Sequence, residues 1–406
     1  MNVPMKALSL SVLTAVALMG CGKEAPPPAA AVKAAPAAPA VTVVKIGHVG
    51  PLTGGIAHLG KDNENGARLA IDEANAMNPM IGAQKVKFEL IAEDDQGDPK
   101  VGNTVAQKLV DAKVAGIVGH LNSGTTIPAS AIYNQAGIPV ISGSATNPTF
   151  TEQGFKVAFR VVARDDQQGP AIANYLLLNK PKTVAIIDDA TAYGEGLANE
   201  VEKTLKAAGV TVLPREKGTD KTVDWKAVLT KVKGKSPDAV FYGGMDATGG
   251  PLIKQARELN MKAQFGFGDG GCTDKMGELA GAAAEGMVCS QAGIPVQAAG
   301  AKFLSAYKAA FNIEPILYSP FTYDAAKLLI AAMQKAGSAD PAKYLPALAA
   351  SNFDGASGNI QFDAKGDRKD AEITIFTLKG GKVAPTAIIK GGKSMTLDEY
   401  AKANAK

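Results

Sequence analysis

A chain of 406 residues, 46% hydrophobic and 20% charged, has length for about two globular domains and enough apolar content to build their cores. Its formal net charge of +4 is small, its Lys and Arg are scattered among acids, and only 6% of its residues are aromatic. That pattern excludes a nucleic-acid-binding stripe and a base-stacking platform.

The first residues read as an export signal rather than as fold. Lys6 precedes an apolar run, residues 7–19, too short to span a bilayer as a structural helix but suited to the core of a signal peptide. The run ends in Leu18-Met19-Gly20-Cys21, which is similar to a bacterial lipoprotein cleavage box and implies a lipid on Cys21. A plain secretory signal is the alternative. Residues 1–21 are thus expected to be the signal with its lipidated Cys. Residues 22–42, mostly Ala and Pro, cannot form a core and read as a semi-extended tether. Export places Cys272 and Cys289 in an oxidising compartment, and an even pair there predicts a disulfide.

Regular patterning starts at residue 43. Strands are expected at 43–49, 85–92, 114–118, 138–141 and 157–161, with helices at 60–77, 98–111 and 125–136 between them. Asp98-Pro99 is a helix start, with Asp as cap and Pro at the first helical position. After Arg164 the alternation begins again. Helices are expected at 165–178, 193–208, 225–232, 248–259 and 273–280, and strands at 183–188, 239–242, 263–267 and 286–289. A less regular third block holds helices at 301–311 and 321–336, then antiparallel strands at 373–378 and 384–389. Twofold β/α alternation predicts an α/β fold of two doubly wound parallel-sheet lobes. The late mixed segment predicts more than one crossing between them. The expected bounds are 43–163 for lobe 1, 164–292 for lobe 2, 293–370 returning to lobe 1 and 371–406 returning to lobe 2.

Residues 119–150 join two short apolar runs to two hydroxyl-rich loops, with a helix between. In a parallel sheet both loops lie at the carboxyl edge, where α/β proteins bind small ligands. Ser123, Ser144 and Thr146 put hydroxyls there, and the helix start adds unpaired N–H groups suited to a carboxylate. Ordinary cap and turn roles are the alternative for such residues. Gly266–Gly271 spells GxGxxG but comes late and does not open a helix, so it is not read as a nucleotide fingerprint. Within it, Asp269 sits between glycines at a strand end, either facing a cleft as partner for an ammonium or serving as a turn residue. Tyr193 belongs to the first turn of a helix that Asp189 or Thr191 can cap. The three histidines match no metal spacing, and Glu93-Asp94-Asp95 reads as a solvated loop, with an orienting role at the cleft as the alternative. No nucleophile–base arrangement is present.

Together these stretches resemble the leucine/isoleucine/valine-binding proteins that feed ABC importers (type I periplasmic-binding fold). The resemblance rests on PLTGGIAHLG (51–60), DDQGDPK (94–100), GHLNSGTTIPASAIY (119–133), SATNP (144–148), DQQGP (166–170), YGEGLA (193–198), FYGG (241–244) and FDAKGD (362–367). It implies that Ser123, Ser144, Ala145 and Thr146 hold the ligand's charged groups, and that Tyr193 and Asp269 contact it from the closing lobe. Leu59 and Met245 stand where the family often has aromatic residues, so a pocket of altered shape is implied. Asp269 stands where Glu is usual, one methylene shorter. The disulfide often found between the positions of Gly97 and Asn122 has no cysteines here. The implied protein is a monomeric, non-enzymatic, lipid-anchored binding protein of the periplasm or cell envelope. It needs no cofactor, binds no nucleic acid, takes branched-chain or other aliphatic amino acids, and delivers them to a permease. A short amide, urea or an aromatic or organic acid is the alternative ligand, and a two-lobed α/β enzyme a distant alternative.

Overall fold

The computed structural model describes residues 41–404. The expected signal, Cys21 and nearly all of the tether lie outside them. Two sheets organise the described chain. The first has six strands in the order Met80–Ile81, Gln84–Asp94, Thr42–Gly50, Ile117–Gly119, Val140–Ser142, Ala158–Arg160. Only the hairpin pair Met80–Ile81 and Gln84–Asp94 is antiparallel. In the second sheet a parallel block runs Val288–Gln291, Gln264–Phe267, Ala239–Gly243, Thr183–Asp188, Thr211–Val212. Glu216–Lys217 also pairs with Thr183–Asp188. Ile373–Lys379, Lys382–Lys390 and Lys393–Met395 extend it in antiparallel fashion.

Local chemistry places the helices. Asp98 accepts from Lys100 N at 2.7 Å and Val101 N at 3.1 Å, with Pro99 behind it, and starts the helix Pro99–Asp111. Thr191 Oγ1 accepts from Gly194 N at 3.0 Å and starts Ala192–Ala207. The start of Ser319–Ala336 is held by Asp62, which accepts from the amides of Ile316, Leu317, Tyr318 and Ser319 at 2.7–3.0 Å. A carboxylate there meets donors that have no intrahelical partner, and it complements the helix dipole.

The late helices Ala301–Phe311 and Ser319–Ala336 pack on Ala57–Ala76, beside the first sheet, whereas the strands after residue 372 join the second. The crossing is tight: a Cβ on Gly66 would lie 2.3 Å from Ser319 O. Several features depart from the sequence expectation. The strand expected at 286–289 is Val288–Gln291, because Gly286 turns at φ +75° and donates to Leu378 O. The helix Pro341–Ala349 and the hairpin Asn352–Gly355/Gly358–Gln361 were not expected. Asp95 is not a solvated loop residue; it is fully buried and bonds His120 Nδ1 at 3.0 Å.

Candidate functional site

The loops that follow the parallel strands of the two sheets face one another across a cleft of about 570 Å³, whose lining includes Thr53, Ile56, Asn122, Tyr193, Lys221 and Met245. A separate hollow of about 430 Å³, beside Pro237 and Ala263, lies at the strand starts of the second sheet. That is the wrong edge for ligand binding in parallel sheets.

On the first lobe the hydroxyl residues do not cap the helix Ser123–Ala136. Asn122 is its N-cap and makes no side-chain cap bond. Ser123 Oγ instead accepts from Asn147 N at 3.2 Å and ties the two loops together. Ser144 Oγ donates to Leu121 O at 3.1 Å and accepts from Asn63 Nδ2 at 3.1 Å. Ala145 is clamped at both ends of its peptide: its N–H donates to Ser142 Oγ at 2.9 Å and its carbonyl accepts from Arg160 Nη1 at 2.8 Å. Thr146 is fully buried, and its hydroxyl has no protein hydrogen-bond partner.

On the second lobe Tyr193 and Asp269 meet directly. The Tyr193 hydroxyl donates to Asp269 Oδ1 at 2.8 Å and accepts from Gly270 N at 2.9 Å. Gln168 Nε2 also donates to Asp269 Oδ1, at 3.0 Å. From the segment that Asp62 holds, Tyr318 donates to Asp269 Oδ2 at 2.7 Å. Burial pushes the Asp269 carboxyl above its usual range, and the bonds from Tyr318, Tyr193 and Gln168 pull it back. Burial and the Asp269 charge also drive the Tyr193 and Tyr318 hydroxyls well up, so both are donors at any physiological pH. The glycines beside Asp269 are there for close approach. A Cβ on Gly268 would lie 2.5 Å from the Tyr193 hydroxyl, and one on Gly270 2.5 Å from Met245 Sδ. Cys272 and Cys289 form a disulfide, anchoring the end of this loop to the strand Val288–Gln291.

Leu59 is fully buried in an apolar cluster with Leu121, Leu317 and Tyr318, against which Ile56 and Met245 pack. The structure thus joins Tyr193 to Asp269 and sets Met245 against the Leu59 cluster, while Cys21 lies outside the described residues. It also adds residues that sequence reasoning missed. Tyr318 and Asp62 gave no local signal. Arg160 did: a lone cation inside an apolar strand needs a buried partner, and its Nε meets Asp367 Oδ1 at 2.5 Å. His58 Nε2 lies 2.7 Å from Asp246 Oδ2, joining the helix Ala57–Ala76 of one lobe to Asp246–Glu258 of the other. Gly97 lies beside Asn122, where its Cβ would be 3.7 Å from Oδ1, so those two loops meet without a disulfide. Among the described residues no group of three His, Cys, Asp or Glu could hold a metal ion.

Comparison with known proteins is consistent over most of the described chain. The family description "Periplasmic binding protein" matches residues 43–382. A leucine-, isoleucine-, valine-, threonine- and alanine-binding protein of Pseudomonas aeruginosa is 35% identical over 339 residues, 83% of this chain and 90% of its own. A leucine-binding protein of Thermotoga maritima superposes with a TM-score of 0.79 at 28% identity, covering 86% of this chain and 99% of its own. A branched-chain amino acid transporter substrate-binding protein of Streptococcus pneumoniae, solved with isoleucine, superposes with a TM-score of 0.78 at 29% identity, covering 86% of this chain and 100% of its own. With its two doubly wound lobes and its interlobe cleft, the chain belongs to the periplasmic binding protein family.

Proposed function

We propose that this protein captures a branched-chain or other aliphatic amino acid between its lobes and presents it to an ABC-importer permease. What supports the reading is the meeting of a polar and an apolar environment beside the cleft that Tyr193 and Met245 line. One is the polar set of Ser123, Ser144, Ala145, Thr146, Tyr193 and Asp269; the other is the apolar cluster around Leu59, Leu121 and Met245. A buried zwitterion needs both of its charges met by hydrogen bonds, while an aliphatic side chain needs a dry wall. The relatives' names support the same solute class. In this reading lobe 1 comprises residues 43–163 and 293–370, and lobe 2 residues 164–292 and 371–406. The mechanism is hinge closure: ligand docks on lobe 1, and the contacts of lobe 2 stabilise the closed form that the permease recognises. No catalytic step is assigned. The protein acts as a monomer in the periplasm or cell envelope, held by a lipid on Cys21; among the described residues no helix is long and apolar enough to cross a membrane.

One feature favours a second reading. Asp269 already accepts three hydrogen bonds from the protein, which suits a solute without an ammonium, such as a short amide, urea or an organic acid. Calorimetry separates the two. Protein unfolded and refolded to strip carried-over solute is titrated with the twenty amino acids, then with amides and aromatic acids. Tight binding of leucine, isoleucine or valine supports the first reading. Silence across the amino acids, with heat from an amide or acid, replaces it with the second.

A further inference from the structure

Asp165 is the most exposed problem in the electrostatics of the cleft, although none of its surface is exposed to solvent. It is the first residue of the helix Asp165–Leu177, and neither carboxylate oxygen has a protein hydrogen-bond partner. A carboxyl taken out of water without a donor is costly, so a structure keeps one only where something else meets it. Its neighbours are the binding residues. Its N–H donates to Thr146 O at 2.9 Å. Three residues on, and so on the same helix face, Gln168 reaches Asp269 Oδ1 at 3.0 Å. Asp165 Oδ2 lies 3.6 Å from where a Cβ on Gly196 would be, in the helix that carries Tyr193. The Thr146 hydroxyl, also fully buried, is near enough to act on the Asp165 carboxyl but meets neither oxygen in hydrogen-bonding geometry.

Two buried groups without protein hydrogen-bond partners, a hydroxyl on a loop and a carboxyl at a helix start, match an ammonium, which offers three N–H donors. Asp269 contrasts with them, being held by Tyr193, Tyr318 and Gln168. We propose that Asp165 is a second acid of the ammonium half-site and that, with Thr146 and Asp269, it binds the α-ammonium of the ligand and selects solutes bearing a cationic nitrogen. This inference deepens the amino-acid reading and rests on it. The charges around Asp165 are Asp269 on the glycine-rich loop, Arg160 on the strand Ala158–Arg160 and Asp166 on its own helix. Asp269 opposes its ionisation, which an arriving cation relieves. Arg160 cannot stand in for that cation, because its guanidinium is taken up by Asp367, Thr151 and the Ala145 carbonyl.

The test compares wild type and Asp165→Asn by calorimetry with leucine, alongside a crystal structure of the wild-type leucine complex. The expected results are a loss of about thirtyfold or more in leucine affinity and an ammonium nitrogen within about 3.2 Å of an Asp165 oxygen. Binding of 2-hydroxy-4-methylpentanoate, which lacks the ammonium, should change less than that of leucine. Undiminished leucine affinity in the variant overturns the inference, as does a nitrogen more than about 4 Å from both Asp165 oxygens, while the amino-acid reading stands. If Asp165→Asn fails to fold, the wild-type complex decides alone. If wild type binds no amino acid, the proposed function falls and this inference with it.

Discussion

Three donors converge on the buried Asp269 carboxyl, two hydroxyls and a side-chain amide, and each favours its ionised form against burial. Replacing it by Asn removes the charge and turns one acceptor into a donor facing those same groups. Asp269→Asn is therefore expected to weaken amino-acid binding by roughly 2–5 kcal/mol, read by calorimetry; wild-type affinity in the variant would remove Asp269 from the ammonium site. His48 poses a different problem. It is fully buried with no hydrogen bond to either ring nitrogen, and burial lowers its pKa to about 4. The unfolded chain takes up a proton on this residue below about pH 6.5, whereas the folded protein resists until about pH 4. Its contribution is thus fully present above pH 6.5 and is lost as the pH falls towards 4, amounting to about 3 kcal/mol. Urea unfolding across that interval should show a flatter decline for His48→Leu than for wild type. Parallel declines would show that His48 does not govern the acid side.

At the scale of elements, the segment from Gln264 to Cys289 is a device for holding one acid in place. A strand ends at Phe267, Gly268 and Asp269 follow, glycines let Tyr193 and Met245 pack against the loop, and the disulfide closes the segment. A 17-residue separation between the two cysteines stabilises by roughly 3 kcal/mol in the chain-entropy account. Cys272→Ala combined with Cys289→Ala should lower unfolding stability by about that amount and also weaken binding, because Asp269 loses its anchored neighbour. Stability lost with affinity untouched would mean that the bridge serves the fold but not the site. The helices were the most legible elements. Ala301–Phe311 and the strand Thr183–Asp188 lie where the sequence places them. Pro341–Ala349 carries the same Asp-Pro start signature as Pro99–Asp111, with Asp340 accepting from Ala342 N at 3.1 Å, so its start is a local sequence signal as well.

At the scale of the whole molecule, the polar contacts between the lobes include Tyr318 to Asp269 at 2.7 Å, His58 to Asp246 at 2.7 Å, and Asn147 Nδ2 to Ala192 O at 2.6 Å. The first is part of the proposed ligand site. The second joins the two lobes outside that set of residues. Asp246 is fully buried and keeps Thr273 Oγ1 at 2.6 Å when His58 is removed, yet loses its cross-cleft partner. His58→Ala should destabilise the closed form by roughly 1–3 kcal/mol, lowering apparent affinity while leaving the thermal unfolding of each lobe nearly unchanged. Scattering profiles with and without leucine would report closure. A variant that closes and binds as wild type does would make the His58–Asp246 contact incidental.

By itself the sequence determined the period of the alternation, and with it the α/β class and two lobes, because burial on both faces of a parallel sheet demands apolar strands separated by amphipathic helices. It also singled out Ser123, Ser144, Thr146, Tyr193 and Asp269, since hydroxyls, glycines and an isolated acid at strand ends are local signals. Only the tertiary structure decided what those groups do to one another. Ser123 spends its oxygen on Asn147 rather than on a helix cap, and Tyr318 reaches Asp269 from 49 residues away in sequence. Likewise, Asp165 ends up buried with nothing on either oxygen. Hydrogen bonding and desolvation act through space at about 3 Å, so whether an acid in a helix start is a solvated cap or an unmet charge depends on which distant chain segments pack against it.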